Sequence, residues 1–445
     1  MAFRSIERWH ASLRLLILAA SIGAGATAPG AAVYSIVTNP GEDCAHQMNL
    51  GWHASLEHTN CYVRLAKRAD TNWTQAVTVP GTYELCEVFD GIPSRSATGA
   101  DVREEARFLD YGAIVTDLEP DTGYMYRICA SNGVESATHY FRTAGGEEFT
   151  FLWVGDFHTY LPLPNRLRNA NQVITAARAL DRGVDFVFST GDVVAWGGSY
   201  SFWQALYEQD FIRDYMFANV VGNHDYMTRT QSTSRAYFRA VNNFPRNGYP
   251  GQEGVCYWFR YGEVLFFALN NEAMAQGAEA EGAAKKWVAD VLEREREHYR
   301  YIIIAEHYQW FDGRSGKTSW YAHWKDFCDQ HRVALALSGN NHIYERTHPL
   351  HQDKVVPAGQ GTVYLEVPSS DGERGVEAGN LKYNAEKLAY TYSGHSKSGN
   401  GEVKTIGCVL VRVAGDTATT KLVYLDDQHN SHVSDETQLR LLPAH

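Results

Sequence analysis

The alternation of apolar runs with stretches of helical periodicity constrains the fold of this chain more than any other feature of its sequence. From residue 147 onwards, short apolar runs alternate with stretches of helical period, as in Phe149 to Val154, the helical stretch near 166–181 and Val184 to Ser189. Apolar strands separated by amphipathic helices are typical of a layered sheet with helices on its faces. Residues 147–445 are therefore predicted to form an α/β domain.

Residues 33–145 have a different hydrophobic periodicity. Short runs of strand character, such as Val33 to Val37, Cys61 to Leu65 and Tyr124 to Cys129, are separated by Gly, Pro, Asn and Asp, and no long helical period interrupts them. This pattern predicts a small all-β sandwich in front of the α/β domain. The polar stretch 90–110 is interpreted as a solvated insertion.

The beginning of the chain has the features of an export signal. Three arginines precede an apolar run, Leu15 to Ile22, and small residues follow it. This order predicts a cleaved signal peptide over residues 1–28 and a secreted or periplasmic protein. The run is too short to span a bilayer, and no later run of about 20 apolar residues follows, so no stable membrane insertion is expected.

The charge of the chain limits its partners. A formal net charge of −12 argues against a nucleic-acid groove, because phosphate backbones require clustered Lys and Arg. A small anionic substrate would have to be attracted locally, for which a bound metal cation is the obvious device.

The cysteines suggest a second feature of an exported chain. There are seven, and disulfides are plausible among them, most readily among the four that lie before residue 130. Their odd number leaves at least one thiol without a partner in the same chain.

Five apolar strands of the α/β region are each followed by polar residues of the type that ligates metals. These residues are Asp156 and His158, Asp192, Asn223 with His224 and Asp225, His307, and Asn340 with His342. Ligands bind at the carboxyl edge of the strands in an open α/β sheet, so separate strands deliver these groups to one crevice. Independent turns have no reason to repeat the same carboxylate, amide and imidazole set. A mixed nitrogen and oxygen set suits Fe, Mn or Zn.

The order of these motifs resembles that of the calcineurin-like metallophosphoesterases, whose pattern runs D-x-H, GD, GNH(D/E), H and GHxH. The segment Leu337 to Thr347 is most similar to the purple acid phosphatase branch. Leu118 to Arg127 resembles a fibronectin type III corner, in which the hydroxyl of Tyr124 pins the backbone. The resemblance implies a four-layer metallophosphoesterase-type α/β fold, a β-sandwich flanked by helices, preceded by an all-β fibronectin type III-like sandwich.

Carried over residue by residue, the resemblance implies two metal ions per chain, with Asp192 bridging them. The first ion would be held by Asp156, His158, Asp192 and His342, and the second by Asp192, Asn223, His307 and Asn340. His224 resembles the family's phosphate-contacting histidine, which donates a proton to the leaving group.

Three positions depart from the purple acid phosphatase pattern. Ala195 stands where that branch has a tyrosine ligand, and His158 stands where it has no histidine. His158 is therefore expected to supply the missing ligand, and the tyrosinate colour is expected to be absent. Asn340 stands where the pattern has a histidine. Because an amide oxygen is a weaker donor than imidazole toward Fe or Zn, the second ion is expected to bind less tightly or to be harder, such as Mn.

These motifs favour metal-dependent hydrolysis of phosphate esters, above all phosphomonoesters, with a small phosphorylated molecule as substrate. Two alternatives are a phosphodiesterase that uses the same site, and a non-catalytic binding or adhesion protein whose metal site has degraded at Asn340. Four residues that follow the ligand motifs are candidates for substrate contact: Tyr226, Tyr308, Arg314 and Lys317.

Overall fold

The computed structural model describes residues 32–89, 94–95, 101–102, 105–146, 148–226, 238–311, 320–373, 384–397 and 403–445. The predicted signal peptide lies outside these ranges, as do Arg314 and Lys317. Within the ranges, no helix is both long enough and apolar enough to cross a bilayer.

The front of the chain consists of strands. In chain order they are β1 (Val33–Pro40), β2 (Met48–Ala54), β3 (Cys61–Lys67), β4 (Val77–Pro80), β5 (Thr82–Phe89), β6 (Ser94–Arg95), β7 (Asp101–Val102), β8 (Glu105–Val115), β9 (Gly123–Ala130) and β10 (His139–Arg142). The expectation of a solvated insertion up to residue 110 is wrong at its end, because β8 begins at Glu105. Phe108 and Leu109 are buried there, and the charged residues on either side conceal the apolar pair in the sequence.

The rest of the chain alternates strands and helices. Its strands are β11 (Glu148–Val154), β12 (Val184–Ser189), β13 (Met216–Asn219), β14 (Tyr257–Tyr261), β15 (Val264–Ala268), β16 (Tyr301–Ala305), β17 (Leu335–Ser338), β18 (Tyr344–Thr347), β19 (Leu350–His351), β20 (Lys354–Val355), β21 (Val363–Glu366), β22 (Leu388–Tyr392), β23 (Ser396–Lys397), β24 (Val403–Lys404), β25 (Gly407–Ala414), β26 (Thr417–Leu425) and β27 (Ser431–Arg440). Its helices are α1 (Asn165–Leu180), α2 (Tyr200–Tyr207), α3 (Asp210–Arg213), α4 (Asn271–Met274), α5 (Ala278–Arg294) and α6 (Tyr321–His331), with 3-10 turns at His224–Tyr226 and Arg296–His298. The helical stretch that follows β12 is divided into α2 and α3, because Gln209 is extended between them.

One sheet of ten strands runs through both parts of the chain. Its strand order is β27-β26-β25-β11-β12-β13-β1-β2-β8-β5. The two parts meet where β1 lies parallel to β13, with Thr38 opposite Met216. The front sandwich is completed by a four-stranded sheet, β10-β9-β3-β4, and the α/β region by a seven-stranded sheet, β14-β15-β16-β17-β21-β18-β22.

Alternation along the strands divides the α/β region into layers. In β15, Phe266 faces the core between the two larger sheets, where its ring centroid lies 5.8 Å from that of Phe151. Phe267 faces the other way and lies 5.6 Å from Trp287 of α5. The opposite outer face is covered by α1, which packs on β25 and β26. The order helix, sheet, sheet, helix confirms the predicted α/β class.

The predicted corner of the front sandwich is confirmed at Tyr124. The hydroxyl of Tyr124 accepts a hydrogen bond from the backbone N–H of Glu119 at 2.9 Å. The ring itself is buried and stacks on Phe141 at 5.4 Å. The contact fastens the turn between β8 and β9, which is a structural role.

The cysteines differ from the expectation. All seven lie in the described ranges and none forms a disulfide, so the expected pairing among the first four is wrong for this structure. Cys61 and Cys129 are on adjacent strands, but Cys129 lies opposite Tyr62, one residue along from Cys61. Neighbouring positions of a strand point to opposite faces, and the two thiols are therefore separated by the sheet.

Asn39 joins the front sandwich to the α/β region through two buried hydrogen bonds. Its Nδ2 donates to the carbonyl of Phe217 at 2.8 Å, and its Oδ1 accepts from the backbone N–H of Asn243 at 2.7 Å. Asn39→Ala leaves both backbone groups without these partners, and we expect the free energy of unfolding in urea to fall by about 1–3 kcal/mol. Asn72→Ala, in an exposed turn, is the control and should change it by less than about 0.5 kcal/mol. Equal values for the two variants would contradict a role of Asn39 at the junction.

Candidate metal centre

The loops that follow β11 and β12 are tied to each other by their backbones. The N–H of Asp156 donates to the carbonyl of Gly191 at 2.9 Å, and the N–H of His158 donates to the carbonyl of Asp192 at 2.9 Å. Asp156, His158 and Asp192 all have a positive φ, of 53°, 44° and 53°. Non-glycine residues adopt this conformation at a cost of about 1–3 kcal/mol each, and such strain is concentrated at functional sites.

Asp192 lies at the middle of the cluster. Its Oδ2 is 3.3 Å from His158 Nε2, 3.3 Å from His307 Nε2 and 4.0 Å from His224 Nε2. The second carboxylate, Asp156, places Oδ1 3.4 Å from His342 Nε2. Asn223 Oδ1 is 3.1 Å from His307 Nε2. The structure thus brings together the predicted residues from all five strand ends.

The donor atoms fit metal ions. Three overlapping groups each have ligand atoms within 4.8 Å of one another: Asp156, His158 and His342; Asp156, Asp192 and His307; His158, Asp192 and His224. Asp156 Oδ1 is buried and makes no hydrogen bond. A buried carboxylate oxygen without a hydrogen bond is costly unless a cation neutralises it.

Two glycines allow the ligand loops to approach this closely. A Cβ added to Gly222 would lie 2.2 Å from Asp192 Oδ1, and one added to Gly339 would lie 2.6 Å from Asp156 Oδ2. Both distances are far shorter than a nonbonded contact. The glycines before the ligands are therefore required by space, as the sequence pattern indicates.

Each imidazole is oriented by the nitrogen that points away from the cluster. His307 Nδ1 donates to the carbonyl of Thr190 at 2.8 Å, and His224 Nδ1 donates to the carbonyl of Ala195 at 2.9 Å. His158 Nδ1 lies 3.1 Å from two acceptors, the backbone carbonyl of Asp156 and Asp371 Oδ2. With the proton on Nδ1, the Nε2 lone pair of each ring is directed toward the carboxylates.

Asp371 was not predicted from the sequence. It follows β21 in the run Ser369-Ser370-Asp371, so a sixth strand also ends in a polar group at this edge. Asp371 is fully buried, with 0% of its surface exposed. The pattern of the other five strand ends, an apolar strand followed by a residue that can ligate a metal, also identifies Asp371 if the two serines before it are accepted as part of the turn.

Asp225 also has a role that the motif alone does not reveal. Its carboxylate accepts hydrogen bonds from four backbone N–H groups, those of Gly222, Asp192, Val193 and Val194, at 2.9 to 3.2 Å. Asp225 is buried and does not face the donor cluster. It therefore fixes the loop that carries Asp192 rather than offering a ligand.

The side chain of Asn340 is oriented by a glutamine. Its Nδ2 donates to Gln309 Oε1 at 2.7 Å, and its backbone N–H lies 3.2 Å from Asp156 Oδ2. This leaves the amide oxygen as its ligand atom. Asn340 as a ligand stays a prediction.

Two of the predicted substrate contacts, Tyr226 and Tyr308, are held by hydrogen bonds of their hydroxyls. The Tyr226 hydroxyl accepts from Asn270 Nδ2 at 2.8 Å, and the Tyr308 hydroxyl donates to Glu272 at 2.6 Å. Both tyrosines are half-buried. Their contact with substrate stays a prediction, and Arg314 and Lys317 lie outside the described residues.

Two protein-family models match the chain in succession. The purple acid phosphatase N-terminal domain matches residues 33–143, and the calcineurin-like phosphoesterase family matches residues 149–344. Residues 149–344 are therefore a calcineurin-like phosphoesterase domain. The phosphoesterase is accordingly a hydrolase of the phosphatase type, in a family that uses a binuclear metal centre. Asp371 lies beyond the matched residues.

Solved structures support the same fold. The phosphoesterase is similar to purple acid phosphatase PPD1 from yellow lupin (Lupinus luteus) seeds, with a TM-score of 0.67 and 16% identity over 92% of this chain and 74% of that one. It is also similar to PhoD, with a TM-score of 0.58 and 10% identity over 94% of this chain and 93% of that one. No curated protein sequence matches it. At these identities the likeness shows the fold alone.

Protons and metal ions compete for the same imidazoles. Burial alone would lower the pKa of His158, but its hydrogen bonds to Asp192 and Asp371 outweigh burial and raise the pKa to about 9. Burial alone would also lower the pKa of His307, but the negative charge of Asp192 outweighs burial and raises this pKa to about 10. Both rings therefore carry a proton near neutral pH when no metal is bound.

A pH dependence follows from the sign of these shifts. Because both pKa values lie above the ordinary value of 6.5, their contribution to stability is complete below pH 6.5 and is lost as pH rises through about 9 to 10. We expect the thermal midpoint of the metal-free protein to fall over that range. We also expect Mn²⁺ binding at pH 8 to release protons, so that its calorimetric heat differs between buffers of different ionisation enthalpy. Equal heats in the two buffers would show that the rings are neutral before binding.

Proposed function

We propose that the protein hydrolyses phosphomonoesters at a centre of two metal ions, with His224 as general acid. The observation that carries the proposal is the position of His224. Its ring is fixed through Nδ1, and its Nε2 faces Asp192 at 4.0 Å, at the margin of the donor cluster. A donor at the margin can reach the leaving oxygen of a phosphoryl group held at the centre.

The proposed ligand sets are those that the motif order implies. Asp156, His158, Asp192 and His342 would hold one ion, and Asp192, Asn223, His307 and Asn340 the other, with Asp192 shared. Two bound ions would supply a water of lowered pKa and would neutralise the charge that develops on the phosphoryl oxygens. Fe, Mn and Zn all suit these donors, and the amide at Asn340 favours Mn at the second position.

His224 can hold a proton at the atom where the reaction needs it. The carbonyl of Ala195 accepts from Nδ1, so a second proton on the ring resides on Nε2. The nearby carboxylate of Asp192 favours the protonated ring, and the ring is partly exposed, as a donor to substrate must be. Transfer of this proton to the departing oxygen avoids the release of an alkoxide into water.

The buried carboxylates argue against a relic of a metal site. Asp156, Asp192 and Asp371 are at most 1% exposed, and no Lys or Arg among the described residues forms an ion pair with any of them. A protein that no longer bound cations would have only protonated histidines to compensate for burying three acids in one place. Export of the phosphoesterase by the signal peptide over residues 1–28 is part of the same proposal.

The first test removes and restores the metal. Thorough chelation should abolish turnover of 4-nitrophenyl phosphate, and addition of Mn, Fe or Zn in turn should restore it with about two ions bound per chain. Bis(4-nitrophenyl) phosphate should be turned over more slowly than the monoester. Activity that survives chelation would refute a metal mechanism, and faster turnover of the diester would favour the phosphodiesterase.

The second test isolates the proton donor. His224→Ala should slow hydrolysis of alkyl phosphates by roughly 10² to 10⁴, and should slow 4-nitrophenyl phosphate far less, because that leaving group needs no proton. His298→Ala is the matched control, since this exposed histidine lies just before β16, at the end of the strand opposite His307. Metal content should be unchanged in both variants. Equal losses on the two substrates would remove His224 from the acid role.

A further inference from the structure

Asp371 and His158 form a buried pair behind the metal centre. Asp371 Oδ2 lies 3.1 Å from His158 Nδ1, and both side chains are 0% exposed. His158 Nε2, on the other side of the ring, lies 3.3 Å from Asp192 Oδ2. The imidazole is therefore held between a carboxylate that faces the centre and one that faces away from it.

The position of Asp371 is itself fixed. Its Oδ1 accepts from the hydroxyl of Ser369 at 2.8 Å and from the backbone N–H of Glu373 at 2.8 Å. Its backbone carbonyl accepts from Asn169 of α1 at 2.9 Å. Because these contacts occupy Oδ1, it is Oδ2 that is left for His158.

His158 Nδ1 also lies 3.1 Å from the backbone carbonyl of Asp156, so the Asp371 carboxylate is an additional acceptor that the other two oriented imidazoles lack. His307 and His224 donate from Nδ1 to neutral backbone carbonyls, of Thr190 and Ala195. A carboxylate in this place holds the ring more firmly and makes its other nitrogen a stronger donor than a carbonyl does. The asymmetry distinguishes the ligand set that contains His158 from the set that contains His307.

We propose that Asp371 is a positioning residue that fixes His158 as the Nδ1–H tautomer and strengthens its Nε2 as a ligand of one metal ion only. The proposal depends on the proposed ligand sets, because it assumes that His158 binds a metal. It assigns no contact with substrate to Asp371.

The direct test compares metal affinities. Asp371→Asn preserves shape and should weaken one of the two ions by about 10- to 100-fold while leaving the other unchanged, as measured with chelator competition and elemental analysis. Asp435→Asn is the matched control, because the Asp435 side chain is 5% exposed but pairs with Arg346 and Tyr344 instead of the centre. Two unchanged affinities in Asp371→Asn, or equal losses at both ions, would overturn the proposal.

A double-mutant cycle separates two routes by which Asp371 can act. Ser369 joins Asp371 to the backbone carbonyl of Asp156 at 2.9 Å, so Asp371 could instead influence the loop of Asp156. If it acts through His158, then Asp371→Asn should have no further effect on affinity in a His158→Ala background. A further loss of comparable size would place its effect on the Asp156 loop and refute the proposal.

A measurement on the unaltered protein keeps the proposal testable if Asp371→Asn does not fold. In the zinc-loaded protein, ¹⁵N-labelled histidine should show His158 with a proton on Nδ1 and zinc on Nε2. The reverse tautomer would overturn the proposal. A wild-type protein that binds no metal would instead refute the proposed function, so the two failures are distinguishable.

Discussion

The burial of two carboxylates side by side is the constraint on which the rest of this structure depends. Asp156 and Asp192 are removed from water at the carboxyl edge of the ten-stranded sheet, where their negative charges repel one another. Imidazoles approach them from four separate loops, and Asp225 collects four backbone N–H groups to hold the Asp192 loop in a strained conformation. This arrangement is stable only if positive charge is supplied, by protons when the protein is metal-free and by cations when it is loaded.

The outer contacts of the imidazoles determine how that positive charge is shared. His307 and His224 have only backbone carbonyls at Nδ1, whereas His158 has the Asp371 carboxylate 3.1 Å from Nδ1 in addition to the carbonyl of Asp156. In the proposed ligand sets the two halves of the centre would therefore be unequal: one would have a strengthened imidazole, and the other would include an amide at Asn340. Unequal halves would favour ordered occupation, with the tighter ion bound before the weaker one.

The sequence predicts the ligands better than it predicts what supports them. Asp156, Asp192 and His307 follow strands whose apolar runs are unmistakable. The parallel strands of each sheet bring their carboxyl ends to one edge, and the two sheets pack so that these edges meet at the centre. Asp371 was not predicted because residues 367–370, which include two serines, separate it from the end of β21, and its partner His158 is distant in the chain. The beginning of β8 was not predicted for a different reason, since Arg107 and Asp110 flank the buried pair Phe108 and Leu109 and make the stretch polar in the sequence. The disulfide pairing expected from the sequence is not formed. Cys61 and Cys129 lie on paired strands but one position out of register, so their thiols point to opposite faces of the sheet.

The pairing of β1 with β13 has a consequence for how the molecule can be divided. The boundary between the two family matches falls near residue 146, but the hydrogen-bonded ladder does not stop there. Cutting the chain at that point would expose the unpaired edge of β13, a short apolar strand of four buried residues. An unpaired strand edge of this kind can pair with the strand edge of another chain, which leads to aggregation. The front sandwich therefore protects the edge of β13 by pairing with it through β1. The two parts of the chain are expected to be inherited and expressed together.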